Sequence, residues 1–178
     1  MSVRGWSAVD VFLSLCESPI ERAFALAFIE AARTRNCVSV GVGDDARGGV
    51  DGCVEIAVAS LPAAGFLLMP QFDTRDYRCD FRIWRKELLA PVDCCVELAV
   101  ECDGHDFHNR TPEQARRDRA RDRALALAGL EAFRFTGSEI YRDARACAES
   151  AIEYMDNRAC EIVVAELDRS APALDGGA

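Results

Sequence analysis

The sequence predicts an α/β sandwich in which a mixed central β-sheet is flanked by helices. Three observations carry this. Two segments, Ser18-Pro19-Ile20-Glu21 and Thr111-Pro112-Glu113-Gln114, combine a capping residue, a first-turn proline and a box-closing Glu or Gln, the signature of a helix start. Two others, Tyr77–Trp84 and Val96–Asp103, alternate apolar and polar residues with the period of a strand. Finally, the strand ending at Asp103 reaches the apolar run 130–135 through a helix, a crossover that makes those two strands parallel.

Taken in order, residues 8–34 read as helix with one break at the Ser18 cap, and Ala23, Phe24, Leu26, Ala27, Phe28 and Ile29 supply a broad apolar face. Val38–Val40 and Val54–Val58 read as strands on either side of a Gly/Asp-rich turn, a hairpin at the sheet edge. The run Gly65–Met69 is a third strand, expected to stop at Pro70. In the next strand, Tyr77, Cys79, Phe81 and Ile83 are expected on one face, with Arg78, Asp80 and Arg82 on the other. After a turn over 85–93, Glu97, Glu101 and Asp103 project from the polar side of the following strand and Val96, Leu98, Val100 and Cys102 from its apolar side. The helix from Pro112 stops at Gly129. Thr136-Gly137-Ser138-Glu139 caps a last helix, which reaches about Met155 and is followed by helical residues to about Leu167.

The 178 residues suit a single domain over 1–170, with a flexible tail over 171–178. No apolar run approaches the ~18 residues of a membrane span. No signal peptide is visible. The nine cysteines form no CxxC pair and read as buried free thiols in a reducing cytoplasm. A net charge of −9 argues against nonspecific coating of nucleic acid. The cations are 20 Arg and a single Lys, Lys86, a bias that suits phosphate recognition and equally a GC-rich genome.

Chemistry concentrates in three carboxylates on two neighbouring strands. If those strands pair, Asp80, Glu101 and Asp103 converge. Such an oxygen-rich set suits Mg²⁺ or Mn²⁺, and a cation relieves the repulsion that would otherwise force protonation. A solvated strand face is the plain alternative. The chain's only histidines, His105 and His108, follow at once. They could move a proton or contact phosphate, or ligate a transition metal, or simply bond to main chain; the hard acids favour proton transfer or phosphate contact. Six arginines, Arg110 to Arg123, then face three acids, a local excess of +3 in an acidic protein. Part of this is intrahelical pairing. One Arg face could also meet a nucleic-acid backbone.

The order of Glu21, Tyr77-Arg78-Cys79-Asp80-Phe81 and Val100-Glu101-Cys102-Asp103-Gly104-His105 resembles the PD-(D/E)XK nuclease superfamily. More narrowly, His108, Arg117-Asp118, Arg121-Asp122-Arg123, Leu125, Gly129 and Phe133-Arg134-Phe135-Thr136 make it similar to bacterial endonuclease-like domains related to very-short-patch repair nucleases. The resemblance covers roughly residues 17–153 and implies a restriction-endonuclease-like fold. It implies that Asp80 and Glu101 hold Mg²⁺ or Mn²⁺, with the main-chain carbonyl of Cys102 and Asp103 as further ligands. Asp103 stands where the superfamily name puts lysine, a departure that the narrower group shares and that removes a lysine-assisted water. Glu21 matches the superfamily's helical acid, although a capping box alone would also explain it. His105 or His108 would manage a proton, and Arg78, Arg110, Arg117 and Arg121 would contact DNA. The expected function is metal-dependent endonucleolytic hydrolysis of DNA, with no membrane association; a homodimer or a partner protein is left open. A nucleic-acid-binding or assembly module that keeps the fold without cutting is the alternative, and a hydrolase of small phosphoesters is a third.

Overall fold

A computed structural model describes residues 8–34, 38–43, 53–57, 64–74, 77–87, 94–103 and 111–170. The elements are α1 (Ala8–Leu13), α2 (Pro19–Arg33), β1 (Val38–Gly43), β2 (Cys53–Ala57), β3 (Ala64–Thr74), β4 (Tyr77–Glu87), β5 (Cys94–Asp103), α3 (Pro112–Leu127), β6 (Glu131–Thr136) and α4 (Gly137–Ser170). The strands form one mixed sheet in the order β2-β1-β3-β4-β5-β6. β1 and β2 are the expected antiparallel hairpin at the edge. β5 and β6, joined through α3, are parallel as the crossover requires.

Apolar side chains on the two sheet faces build two clusters. The larger lies under α1, α2 and α4 and centres on Phe24, whose ring sits 5.5 Å from Phe81, 5.6 Å from Phe135 and 6.1 Å from Phe28. Phe66, Leu68, Ile83, Leu98, Val100, Ile152 and Met155 complete it. The smaller, on the opposite face, gathers Met69, Phe72, Cys79, Ala99, Leu125 and Leu130. Here α3 contributes Leu125, while Arg116, Arg117, Arg119 and Arg123 stay exposed.

The helix ends follow the sequence signals. Ser18 Oγ accepts the Glu21 N–H at 3.2 Å. Thr136 and Glu139 form a reciprocal capping box: Thr136 Oγ1 accepts the Glu139 N–H at 3.2 Å, and the Glu139 carboxylate accepts the Thr136 N–H at 2.8 Å. That bond holds the Glu139 carboxyl below its usual range. α4 is interrupted at Asp143 (φ −159°, ψ 80°), where Asp143 Oδ1 accepts the Ala146 N–H at 2.9 Å and so recaps the helix. α3 ends in a Schellman motif: the Leu130 N–H bonds to Leu125 O and the Gly129 N–H to Ala126 O, both at 3.0 Å.

Two expectations are corrected. Pro70 does not end β3, which continues to Thr74. β1 pairs with β3 only at Phe66, Leu67 and Leu68, so from Met69 onward β3 is an edge, where proline is tolerated. Nor do Tyr77, Cys79, Phe81 and Ile83 share one face. Phe81 and Ile83 enter the larger cluster, whereas Cys79 and Tyr77 pack in the smaller one. The cause is a break in the strand pairing at Asp80, described below. The turn after β4 is also shorter than expected, since β4 runs to Glu87 and β5 starts at Cys94. The tail 171–178 lies outside the described residues.

The Gly129 conformation isolates one backbone contribution. Its φ is +71°, and a Cβ placed there would meet nothing within 4 Å. Gly129→Ala should therefore cost only the left-handed backbone penalty, about 1 kcal/mol, measurable by urea denaturation.

Candidate active site

Asp80 stands where three strands lose their regular pairing. β4 and β5 pair from Glu87↔Cys94 to Phe81↔Val100 and no further, while β5 runs on with β6 to Asp103↔Thr136. On the other side, β3 and β4 pair at Pro70↔Phe81 and again at Phe72↔Cys79, leaving Gln71 and Asp80 unpaired opposite each other. Gln71 has φ +51°, the one non-glycine residue with positive φ among the described residues. That conformation costs about 1 kcal/mol or more. Phe72 and Cys79 thereby turn to the face of the smaller cluster, and Asp80 is freed from the ladder.

The Asp80 carboxylate takes up the lost bond. Its Oδ2 accepts the Cys102 N–H at 2.7 Å, so a side chain bridges β4 to β5 where backbone no longer does. Burial pushes the Asp80 carboxyl up to about 6; the Cys102 N–H opposes this, and the charges of Glu21, Glu101 and Asp103 add to it. Those three acids therefore share one electrostatic neighbourhood with Asp80, Glu101 and Asp103 from β5 and Glu21 from α2.

Glu101 is almost wholly buried. Its Oε2 accepts from Arg121 Nη1 at 3.0 Å and from Arg134 Nε at 2.7 Å. Arg134 also pairs with Asp122 through Nη2. Burial opposes the charge on Arg134, but its bonds to Asp122 and Glu101 outweigh that and hold its pKa above the ordinary range. Arg121 lies over the Tyr77 ring at 4.2 Å. Burial, then the charge of Glu101, pushes the Tyr77 phenol above its usual range. Glu101 Oε1 is buried and has no hydrogen-bond partner among the described residues.

Glu21, also buried, departs from the simple capping box. Ser18 caps as expected, but Glu21 Oε2 accepts the Glu17 N–H at 2.8 Å and Gln71 Nε2 at 2.7 Å. The carboxylate thus reaches across to β3. Asp103 is half-buried at the end of β5. Arg78 pairs with Glu17 at the surface, at 2.8 Å. Arg117 is exposed on α3, while Arg121 is engaged by Glu101. His105, His108 and Arg110 lie outside the described residues. Gln71 touches Glu21, Tyr77 lies under Arg121 and Arg134 touches Glu101, and the sequence assigns none of the three a role.

Do these groups suit a divalent cation? Among the described residues, no set of three or more His, Cys, Asp and Glu side chains is arranged to hold a metal ion. Mg²⁺ does not need such a cage: one or two carboxylates with water and substrate phosphate suffice. The donors are hard oxygens, Asp80 carries an unrelieved desolvation cost, and Glu101 Oε1 is an orphaned buried acceptor. The pair fits a hard cation. Burial pushes the thiols of Cys16 and Cys79 up to about 12, and that of Cys102 higher still. No disulfide joins Cys16, Cys79, Cys94, Cys95, Cys102, Cys147 or Cys160; Cys95 and Cys160 are exposed and the others buried.

The model of a restriction-endonuclease-like family, REase_MTES_1575, matches residues 55–155, more than half of the chain. The chain belongs to this family. The matched span carries Asp80, Glu101, Asp103, Arg121 and Arg134, and the α/β fold with its mixed sheet is restriction-endonuclease-like. No curated protein and no solved structure matches the chain. Among the described residues of this family member, no helix is long and apolar enough to cross a membrane.

The raised Asp80 pKa has a stability consequence. The unfolded chain releases this proton near the ordinary 3.8 and the folded chain near 6. Between those values the native state holds more protons, so stability falls as pH rises, and above 6 the penalty is complete, on the order of 3 kcal/mol. Asp80→Asn keeps an oxygen for the Cys102 N–H and removes the charge. It should raise the melting temperature at pH 8 by about 5 °C or more, with the gain vanishing toward pH 4. A pH series of thermal melts checks this.

Proposed function

We propose that this chain is a divalent-metal-dependent endonuclease that hydrolyses DNA phosphodiester bonds, its nuclease domain spanning residues 1–170. The observation that carries the reading is the half-buried Asp80 carboxylate, set where β4 parts from β5 and in the field of Glu21, Glu101 and Asp103. Membership of a restriction-endonuclease-like family supports it. The run from Glu101 to Thr136 supports a narrower kinship with very-short-patch repair nucleases.

Asp80, Glu101 through Oε1, and the Cys102 carbonyl would hold Mg²⁺ or Mn²⁺, with Asp103 beside them. When bound, the cation supplies Lewis-acid stabilisation of phosphoryl charge and makes water a better nucleophile. The remaining work falls to the chain. Asp103 orients the attacking water and takes its proton. Arg134, fixed between Glu101 and Asp122, offsets charge that develops on the phosphoryl oxygens. Arg121 is close enough to do the same. His105 or His108 supplies the leaving group's proton. Arg117, exposed on α3, contacts the backbone together with Arg78 and Arg110. A net charge of −9 makes such contact weak and salt-sensitive without a partner protein, a second copy or the cation itself. Thiols outside any disulfide, five of the seven buried, suit a reducing cytoplasm.

A second reading has one observation in its favour. Glu101 is already neutralised by Arg121 and Arg134, as it would be in a module that binds nucleic acid without cutting. Plasmid nicking separates the two. An endonuclease nicks supercoiled plasmid with Mg²⁺ or Mn²⁺, not with EDTA, and Asp80→Asn and Glu101→Gln each lower the rate by about 100-fold or more. Plasmid binding without nicking, unchanged in both variants, would support the module instead.

A further inference from the structure

We infer that Gln71 is an additional residue of this site. Its Nε2 holds the Glu21 carboxylate in position, and its Oε1 accepts a hydrogen bond from a water that the site contains. The inference deepens the hydrolase reading and rests on it.

Three independent features of Gln71 converge. The first is its backbone. A glutamine at φ +51° is strained, and a glycine would adopt that conformation without cost. Such a residue persists where something other than local stability requires its side chain. The second is its place. Gln71 and Asp80 are facing register positions, both left out of the β3–β4 ladder, so the distortion that frees Asp80 also re-aims Gln71. The third is its amide. Nε2 donates to Glu21 Oε2 at 2.7 Å, across 50 residues of chain. The reverse orientation of the amide would set two oxygens against each other, so this one is dictated by the contact. The other end of the amide, Oε1, is buried and has no hydrogen-bond partner among the described residues.

A buried acceptor without a donor is costly, and a water is the usual remedy where the site is polar. Two such oxygens occur here, Gln71 Oε1 and Glu101 Oε1. Both belong to residues at the broken end of the β3–β4–β5 pairing. Gln71 is thus a positioning residue for Glu21 and a hydrogen-bonding partner for water. No bond is made or broken at Gln71 itself.

Gln71→Gly tests this, because it removes the amide while relieving the backbone. The full chain would be compared with the variant in thermal melts, Mn²⁺ titration by calorimetry, and plasmid nicking at saturating Mn²⁺. The expected result is a melting temperature equal to or above that of the native chain and Mn²⁺ affinity within about threefold. The nicking kcat should fall by about tenfold or more while KM stays within about twofold, since a group that orients water and the Glu21 carboxylate alters the chemical step. Gln71→Asn, also at ease at positive φ but too short to reach Glu21, should match the glycine variant. Nicking within twofold of the native rate in either variant overturns the inference and leaves the hydrolase reading intact. A lowered melting temperature with a parallel loss of activity also overturns it, by making Gln71 structural. A native chain that neither binds Mn²⁺ nor nicks overturns both.

Discussion

The site depends on one hydrogen bond, from the Cys102 N–H to Asp80 Oδ2. Where β4 stops pairing with β5, a backbone donor would be left buried and unpaired, a loss of about 1–3 kcal/mol. A carboxylate fills the gap. The same contact holds a negative charge in a half-buried position near Glu21, Glu101 and Asp103, and its desolvation there raises the Asp80 pKa although the N–H pulls it down. Sheet geometry and acid chemistry are therefore coupled here: the break that re-aims two strands also frees Asp80 to join the other acids.

The molecule tolerates this end of the sheet because the rest is conventional. Phe24 packs against Phe28, Phe81 and Phe135 in the larger cluster, and α2 and α4 cover that face. Helix ends are capped by Ser18, Thr136 and Asp143. The opposing features are a strained Gln71, two orphaned oxygens and a desolvated carboxylate, all at the broken pairing. Clustering of local rule-breaking at one place is the usual mark of a functional region. Glu101 shows the balance most clearly. Arg121 and Arg134 share one of its oxygens, and among the described residues the other has no hydrogen-bond partner.

Much of this was legible in the residues. Period-two alternation located β4 and β5, and with them Asp80, Glu101 and Asp103. The Thr136–Glu139 box and Gly129 marked helix ends correctly because each rests on a local hydrogen bond. What was not legible depends on distance in the fold. Alternation assumes an unbroken strand, so Cys79 was placed on the wrong face. Pro70 reads as a stop only if both neighbours of β3 continue. Glu21 fits a capping box in sequence, yet its carboxylate goes to Gln71, 50 residues away. Arg121 sits in an arginine-rich helix that looks like a phosphate-binding face, and only the fold brings it to Glu101. Gln71 carries no sequence signal, since nothing local announces a positive φ at a glutamine.

The central claim is that Asp80 and Glu101 together hold a hard divalent cation at the end of the sheet. Anomalous scattering from a crystal soaked in Mn²⁺ tests it without reference to any substrate. The account predicts a peak between the two carboxylates that is absent in a crystal of Asp80→Asn treated identically. Ordered density for both side chains with no peak between them at saturating Mn²⁺ would contradict it.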